Sequence, residues 1–538
     1  MTINLQASRM QTRPTDPPVQ HVAIVGGGTA GWMTALLLST STFGERLKVT
    51  VLDAPAADIV DAGEGSTPWL RGFFDSLGID EAEWMPACDA TYKSGTTFDG
   101  WSTRPGHGCW FLPFPSMLDE LVMPQFLRNV HARLNGADVP AHPDRFFVSQ
   151  RVAVEGRVPR PVHEFPFDLG YGYHVDATLL AAFLAKKAAE RGVAHVARHM
   201  TSVSLTEGGD IRALELEGGD SLAADFFVDC SGPDALLIGR ALKTPYVSFS
   251  DALFNDAVIV MHSPHGDGPL MSRTMATSLK HGWAWTIPLA SRNANGYVHS
   301  SAHVSADAAE TELRAQLGLL DADVPARRLT LRLGRHAKHW NQNCVAIGAA
   351  QGVIDPLAAS ALSSVQRAAA SFVDVLERGD LGEAAQAAFN HGLDARVDSE
   401  RDYAVTHFKS NTRSDTDYWR ANAANNALSE PLQGLLRTWL SSQPIAPGIE
   451  NGSFGIGGNV LSWYCLLAGV GLFPEVDPAR TAAAKGADLE GIDNLLQRST
   501  PNFPDHRAWL RDIPPHAERI DLWRRPADAG RRARLGAL

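Results

Sequence analysis

Gly26, Gly28 and Gly31 hold the G-x-G-x-x-G spacing inside HVAIVGGGTAGWMTALLL, residues 21–38. Glycines at these offsets let the backbone approach a pyrophosphate, and the start of a helix favours its charge. Thr29 and Ala30 complete the turn. KVTVLD ends at Asp53, 22 residues beyond Gly31, near the ~20-residue offset of a ribose-binding carboxylate. These residues predict a dinucleotide, and alone they do not separate FAD from NAD. No second glycine fingerprint of comparable quality follows, which favours one tightly held FAD with electrons delivered from elsewhere. Lys93, in ATYKSG, reads from spacing alone as a surface residue. Trp283 and Trp285, in HGWAWTIPLA, alternate by two ahead of Ile287 and Pro288. That period predicts a strand face, and two indoles on one face form a rigid wall that something must pack against.

The elements that position these groups follow from the patterning. Val22–Val25 reads as a strand and Trp32–Leu38 as a helix, and strand–helix alternation covers roughly 20–80. Residues 81–165 are rich in aromatics, Pro and Gly, the composition of irregular structure around a site. Residues 173–196 read as a helix with an apolar stripe and then a strand. SLAADFFVDCSGPDALL, 221–237, reads as a buried strand ending at Asp229, which is a candidate cofactor contact or a turn-former. Residues 250–332 alternate in strand-like runs, and 343–376 read as strand, glycine loop and long helix. The remainder is Ala-rich and helical, with loops at 411–416 and 443–458. The expected class is α/β (α+β). The FAD-binding domain is discontinuous over 21–100, 170–240 and 335–380, and the substrate-binding region takes 101–169, 241–334 and 381–515. Residues 1–20 are expected to be a disordered leader and 516–538, locally basic, a solvated tail.

Bulk properties narrow the partners. A chain of 538 residues can bury a large core in two or three domains. A net charge of -12 offers no basic field, which excludes nucleic acid. The five cysteines are dispersed without any C-x-x-C, which predicts neither a disulfide framework nor a metal site and fits a reducing cytoplasm. No apolar run reaches membrane-spanning length, and the first 20 residues lack a secretion-signal core.

Several segments occur in a telling order: GGGTAGW, GEGSTP (63–68), DATYKSG (89–95), GWAWTIP (282–288), GYVHSS (296–301), NCVAIGAAQGVIDPL (343–357) and LSWYCLLAGVGLFPE (461–475). Together, across about residues 20–475, they closely resemble the flavin-dependent halogenases of the tryptophan halogenase family. The resemblance implies a Rossmann-like FAD-binding domain of the flavin monooxygenase type, a substrate-side sheet and a mostly helical additional region. It implies FADH2 supplied by a separate, transient flavin reductase, with O2 and halide as co-substrates. Bromide or chloride would become hypohalous acid and travel through an internal passage to the lysine matching Lys93, which would hydrogen-bond it as an ammonium or form a haloamine. Glu64, Ser66 and Thr67 match the strap over the flavin. Gly348, the loop to Pro356, and Leu362 match further flavin contacts. Ser360 and Ala361 match the backbone pair that meets halide. Trp283, Trp285, Ile287 and Pro288 match the wall of the passage.

The sequence also departs from the family. Ala358 and Ala359 stand where tryptophan-specific members carry Glu and Ser of P-L-E-S-T-G. In CWFLPFPS, Leu112 takes a usual histidine position while Phe114 is kept. A pocket with fewer polar groups suits a zwitterion poorly, because buried charge without partners is expensive. The expected substrate is a small, electron-rich aromatic, indole-like and not free tryptophan, with Trp463 and Tyr464 as candidate ring contacts. A flavin-dependent monooxygenase and a non-catalytic flavin-binding descendant are the alternatives. No membrane partner is expected, and a homodimer stays open.

Overall fold

A computed structural model describes residues 19–43, 46–54, 63–114, 116–162, 165, 167, 169–483, 486 and 489–513. The expected tail lies outside the described residues, as does the expected leader apart from residues 19 and 20.

The chain opens with β1 (His21–Val25), α1 (Thr29–Ser39) and β2 (Lys48–Asp53). β1 and β2 run parallel, with Ile24 opposite Val51. Val22 to Val25 are all buried, as a strand covered on both faces requires. The chain then leaves this sheet. It forms β3 (Gly63–Gly65), β4 (Thr91–Lys93), β5 (Gly95–Asp99) and β6 (Cys109–Pro113). β7 (Gly172–Asp176) returns between β3 and β4 and pairs antiparallel with both. Asp176 accepts a hydrogen bond from Leu179 N and so caps α2 (Ala177–Glu190). β8 (Ala194–Ala197) rejoins the first sheet beside β2, and β9 (Phe226–Asp229) flanks β1 on its other side.

The second half builds the larger sheet. β10 (Ala257–Ser263), β11 (Arg273–Leu279), β12 (Gly282–Pro288), β13 (Asn293–His299) and β14 (Arg327–Thr330) join β5 and β6 in the order β14-β10-β13-β12-β11-β5-β6. β5 pairs parallel with β11 and therefore belongs to this sheet, although the sequence grouped it with the dinucleotide segment. β15 (Trp340–Asn341) and β16 (Cys344–Ala346) close the six-stranded sheet as β15-β16-β9-β1-β2-β8. α3 (Ala361–Arg378) follows, burying Leu362, Val365, Ala369, Phe372 and Leu376 at helical spacing and ending at Gly379 with φ 69. α4 (Glu383–Ser410) and α5 (Val460–Gly469) lead the helical region that covers the larger sheet.

Two large cores result, one around the six-stranded sheet and one joining the seven-stranded sheet to the helices. Lys93 ends β4 and Gly95 begins β5, so the lysine lies at the seam where the chain passes into the larger sheet. Gly95 allows that passage: a Cβ there would sit 2.2 Å from Leu112 O and 2.5 Å from the Phe111 ring. Among the described residues no helix is long and apolar enough to cross a membrane.

Candidate active site

The glycine turn is tight below and open above. A Cβ at Gly26, where φ is 111°, would lie 2.2 Å from Cys230 O, and one at Gly31 would lie 1.9 Å from Gly26 O. A Cβ at Gly28 would meet nothing within 4 Å. Gly28 is also the N-cap of α1 and brings no side chain to it. Asp53, at the end of β2, lies against the same turn, its Oδ2 2.2 Å from a Cβ at Gly27. Thr29 Oγ1 donates to Ala177 O at 3.4 Å, which brings the α2 N-terminus alongside. A Cβ at Gly348 would lie 2.9 Å from Ala30 Cβ and 3.4 Å from Val365 Cγ2. Three backbone segments therefore converge on one uncapped helix end. Glu64 Oε2, Thr67 Oγ1, Thr178 Oγ1 and both amide atoms of Gln366 are buried without a partner. An open turn, a ribose-type acid and buried polar atoms in want of partners fit FAD.

Two of the expected cofactor contacts, Asp229 and Leu362, have partners in the protein interior. Asp229 is fully buried, and its carboxylate accepts from Ser231 N and Oγ, Leu237 N and Ile238 N. Its oxygens hold the turn after β9. Leu362 is 3% exposed and packs in the core.

The strap β3 lies against the tryptophan strand, Lys93 and the turn before α3. A Cβ at Gly63 would lie 2.6 Å from Ala294 Cβ and 3.2 Å from Ile287 Cγ2. One at Gly65 would lie 2.9 Å from Lys93 Nζ, 3.4 Å from Ala359 Cβ and 3.5 Å from Thr274 Oγ1. A side chain at either glycine would therefore have to displace a neighbour. Ser66 fixes the strap to β7: its N donates to Tyr173 O at 2.7 Å and its Oγ accepts from Tyr173 N at 2.8 Å. Burial pushes the Glu64 carboxyl up to about 7.

Lys93 is 1% exposed, and burial pushes its amine down to about 7. The Phe114 ring lies 5.5 Å from Nζ. Both neighbouring strands are pinned by Glu81, which accepts from the hydroxyls of Tyr92, Tyr171 and Tyr173 and from Arg160 Nη1 at 2.6–2.8 Å. Beside Lys93, His174 Nδ1 lies 3.1 Å from Thr91 Oγ1, and Nε2 lies 2.9 Å from Thr274 Oγ1. Sequence reasoning missed Glu81, Thr91, His174 and Thr274. The available signal was the tyrosines flanking Lys93 and His174 in T-Y-K and Y-G-Y-H.

Trp283, Trp285 and Ile287 share the β12 face that meets the strap. Trp283 is 2% exposed, and its Nε1 donates to Asp355 at 2.9 Å. Asp355 also accepts from Asn255, which in turn accepts from the Tyr418 hydroxyl. Trp285 lies 5.9 Å from Trp283, centroid to centroid, and its buried Nε1 has no partner. The Pro288 carbonyl accepts from Thr91. Past Asp355, position 358 falls in the short turn Pro356–Ala358, and Ala359 takes the left-handed conformation, φ 50°. Ser360 is the N-cap of α3 and Ala361 its exposed first residue. Ser360 Oγ and Ser364 Oγ donate to Glu400, whose carboxyl burial raises.

On the substrate side, Leu112 is half-buried and packs on the larger core. Trp463 is 1% exposed and stands edge-on to Tyr403 at 5.0 Å. Tyr464 is buried, and its hydroxyl is bonded to His131 and accepts from Ile445 N.

A dinucleotide-type glycine turn in a parallel sheet and a lysine buried against a three-residue strand define an α/β nucleotide-binding protein with a buried amine at the seam between its sheets. Comparison with known proteins makes this definite. The family model described as tryptophan halogenase matches residues 21–485. The 7-chloro-L-tryptophan 6-halogenase of Kutzneria sp. (strain 744) is 32% identical over 92% of this chain and 98% of its own. The structure of a tryptophan C-6 flavin-dependent halogenase from taromycin biosynthesis superposes with TM-score 0.80 at 30% identity, covering 91% of this chain and 99% of that one. A flavin-dependent halogenase from Brevundimonas sp. BAL3 superposes with TM-score 0.77 at 29% identity, covering 92% and 99%. The chain belongs to the tryptophan halogenase family, and its FAD-binding fold is the Rossmann-like fold of flavin-dependent halogenases.

Proposed function

We propose that the protein halogenates a small, neutral, electron-rich aromatic, indole-like and distinct from free tryptophan. Reduced FAD with O2 supplies the oxidation of bromide or chloride to hypohalous acid. Gly26, Gly28, Thr29, Ala30, Gly31 and Asp53 would hold the dinucleotide, and Glu64, Ser66, Thr67 and Gly348 its isoalloxazine side. The N–H groups of Ser360 and Ala361, at the start of an 18-residue helix, suit a halide. The observation that carries the reading is Lys93: a buried lysine with its amine against the strap and, among the described residues, no carboxylate bonded to it. As an ammonium it donates to hypohalous acid and polarises the oxygen–halogen bond toward the ring. The Trp283–Trp285 wall keeps substrate from the flavin. Leu112 and Phe114 offer apolar surface where a zwitterion would need charged partners.

A separate flavin reductase is the proposed transient partner, and dispersed thiols suit a cytoplasmic site. The test supplies FAD, a flavin reductase, NADH, O2 and bromide or chloride with indole, phenols and tryptophan, and reads products by mass. Halogenated indole or phenol, lost in Lys93→Ala, is the expected result. An oxygenated product that forms equally without halide overturns the proposal.

A further inference from the structure

The hydrogen bonds beside Lys93 have a direction, and the signature strand sets it. A carbonyl can only accept, so at 2.5 Å the Thr91 hydroxyl must donate to Pro288 O. Thr91 has one proton, so toward His174 it can only accept. The 3.1 Å contact is therefore His174 Nδ1–H donating to Thr91 Oγ1. Burial, and then the nearby Lys93 amine, hold His174 well below the usual histidine range, so the ring is neutral with one N–H. That N–H is on Nδ1, which makes Nε2 an acceptor. Thr274 Oγ1, 2.9 Å away, then donates to it. With its proton committed to His174, Thr274 offers the space around it only lone pairs. Lys93 Nζ and Thr274 Oγ1 flank the strap on the same side of Gly65: a Cβ there would lie 2.9 Å from the first and 3.5 Å from the second, so the two atoms stand close enough for one small molecule to meet both.

We infer that Thr274 is a second anchor for hypohalous acid, accepting its O–H while Lys93 donates to its oxygen. His174, Thr91 and the Pro288 carbonyl are positioning groups that hold Thr274 in the acceptor state. Two bonds fix the oxygen and leave the halogen as the free end, aimed away from both. The inference rests on the halogenase reading above. It also gives the I-P end of W-x-W-x-I-P a task separate from the wall: its carbonyl sets the polarity of the relay.

Thr274→Val removes the lone pairs at nearly constant volume. It is expected to lower halogenated product per NADH at least tenfold, with peroxide release rising to match, while Thr274→Ser keeps most of the product. Thr91→Val, one histidine further from the site, should give the same phenotype in milder form. Equal product from wild type and Thr274→Val overturns the inference. A separate readout needs no turnover. In protein carrying 15N-imidazole histidine, the His174 signals, assigned by their loss in His174→Gln, should show the Nδ1–H tautomer. Thr91→Val should move the proton to Nε2. An Nε2–H tautomer in the wild type overturns the relay. If wild type yields no halogenated product while the Nδ1–H tautomer is found, the functional reading has failed and the relay stands alone.

Discussion

Lys93 and Glu64 are buried ionisable groups with no bonded counter-ion among the described residues, both held near 7 by burial. They load the fold with strain of opposite pH dependence. Lys93 has a folded-state pKa below its unfolded value, so its penalty is full below about 7 and fades as pH rises toward 10.5. Lys93→Met, which fills similar space without charge, should therefore stabilise the protein by about 2–5 kcal/mol at pH 6 and by much less at pH 10. Glu64 is shifted the other way. Its penalty is nil below 4.5 and full above about 7, so Glu64→Gln should stabilise at pH 8, by roughly 1–3 kcal/mol, and not at pH 4. Denaturant melts of both variants across pH, without added FAD, check the signs; a Lys93→Met protein less stable than wild type at pH 6 contradicts the first. Lys93 was legible in the sequence because its motif is local. His174 was not, because its partners Thr91 and Thr274 lie 83 and 100 residues away and are unremarkable threonines until the strands bring them together.

β12 and the proposed halide loop are one assembly at the level of elements. The Trp283 indole bonds to Asp355, so β12 holds the loop that presents Ser360 and Ala361. The two tryptophans should therefore respond differently to substitution. Trp283→Phe keeps the wall but strands a buried Asp355 oxygen, at about 1–3 kcal/mol, and should raise the halide KM. Trp285→Ala has no such bond to break and should chiefly raise peroxide release. Matching KM and peroxide values in the two variants would refute this division. At the other end of the loop, Glu400 places a carboxyl next to the α3 N-terminus, where it opposes a bound anion. Glu400→Gln should lower the halide KM about two- to fivefold above pH 7, measured by initial rates at varied bromide. The six-stranded sheet was readable from its apolar runs and glycines. The three-residue strands β3, β4 and β7's exchange between them were not, since they are too short to carry a period and exist only as partners of one another. β5 was assigned to the wrong side of the seam for a related reason: one residue, Ser94, separates it from β4.

Over the whole molecule, the catalytic seam is closed from the far end of the chain. His506, near the last described residue, is fully buried against β4, 414 residues from its partner. Its Nδ1–H donates to Leu270 O, so Nε2 is free to accept from Tyr92 N, next to Lys93. One neutral imidazole thus joins β4 to the segment leading into β11, which carries Thr274. The C-terminal segment thus ties together the two strands that carry Lys93 and Thr274. Burial holds His506 down to about 4, so it stays neutral over the working range. His506→Ala leaves an amide and a carbonyl without partners in a dry site, and should cost about 2–5 kcal/mol at pH 7. The deficit has a signed pH dependence. Wild-type His506 has a folded pKa below its unfolded value, so the wild type loses stability as pH falls from about 6.5 toward 4, whereas the alanine variant loses nothing from that group. The gap between the two proteins should narrow over that interval, and His506→Gln, able to donate and accept, should restore part of it at pH 7. A gap that stays constant or widens on acidification would show that His506 acts only by filling space.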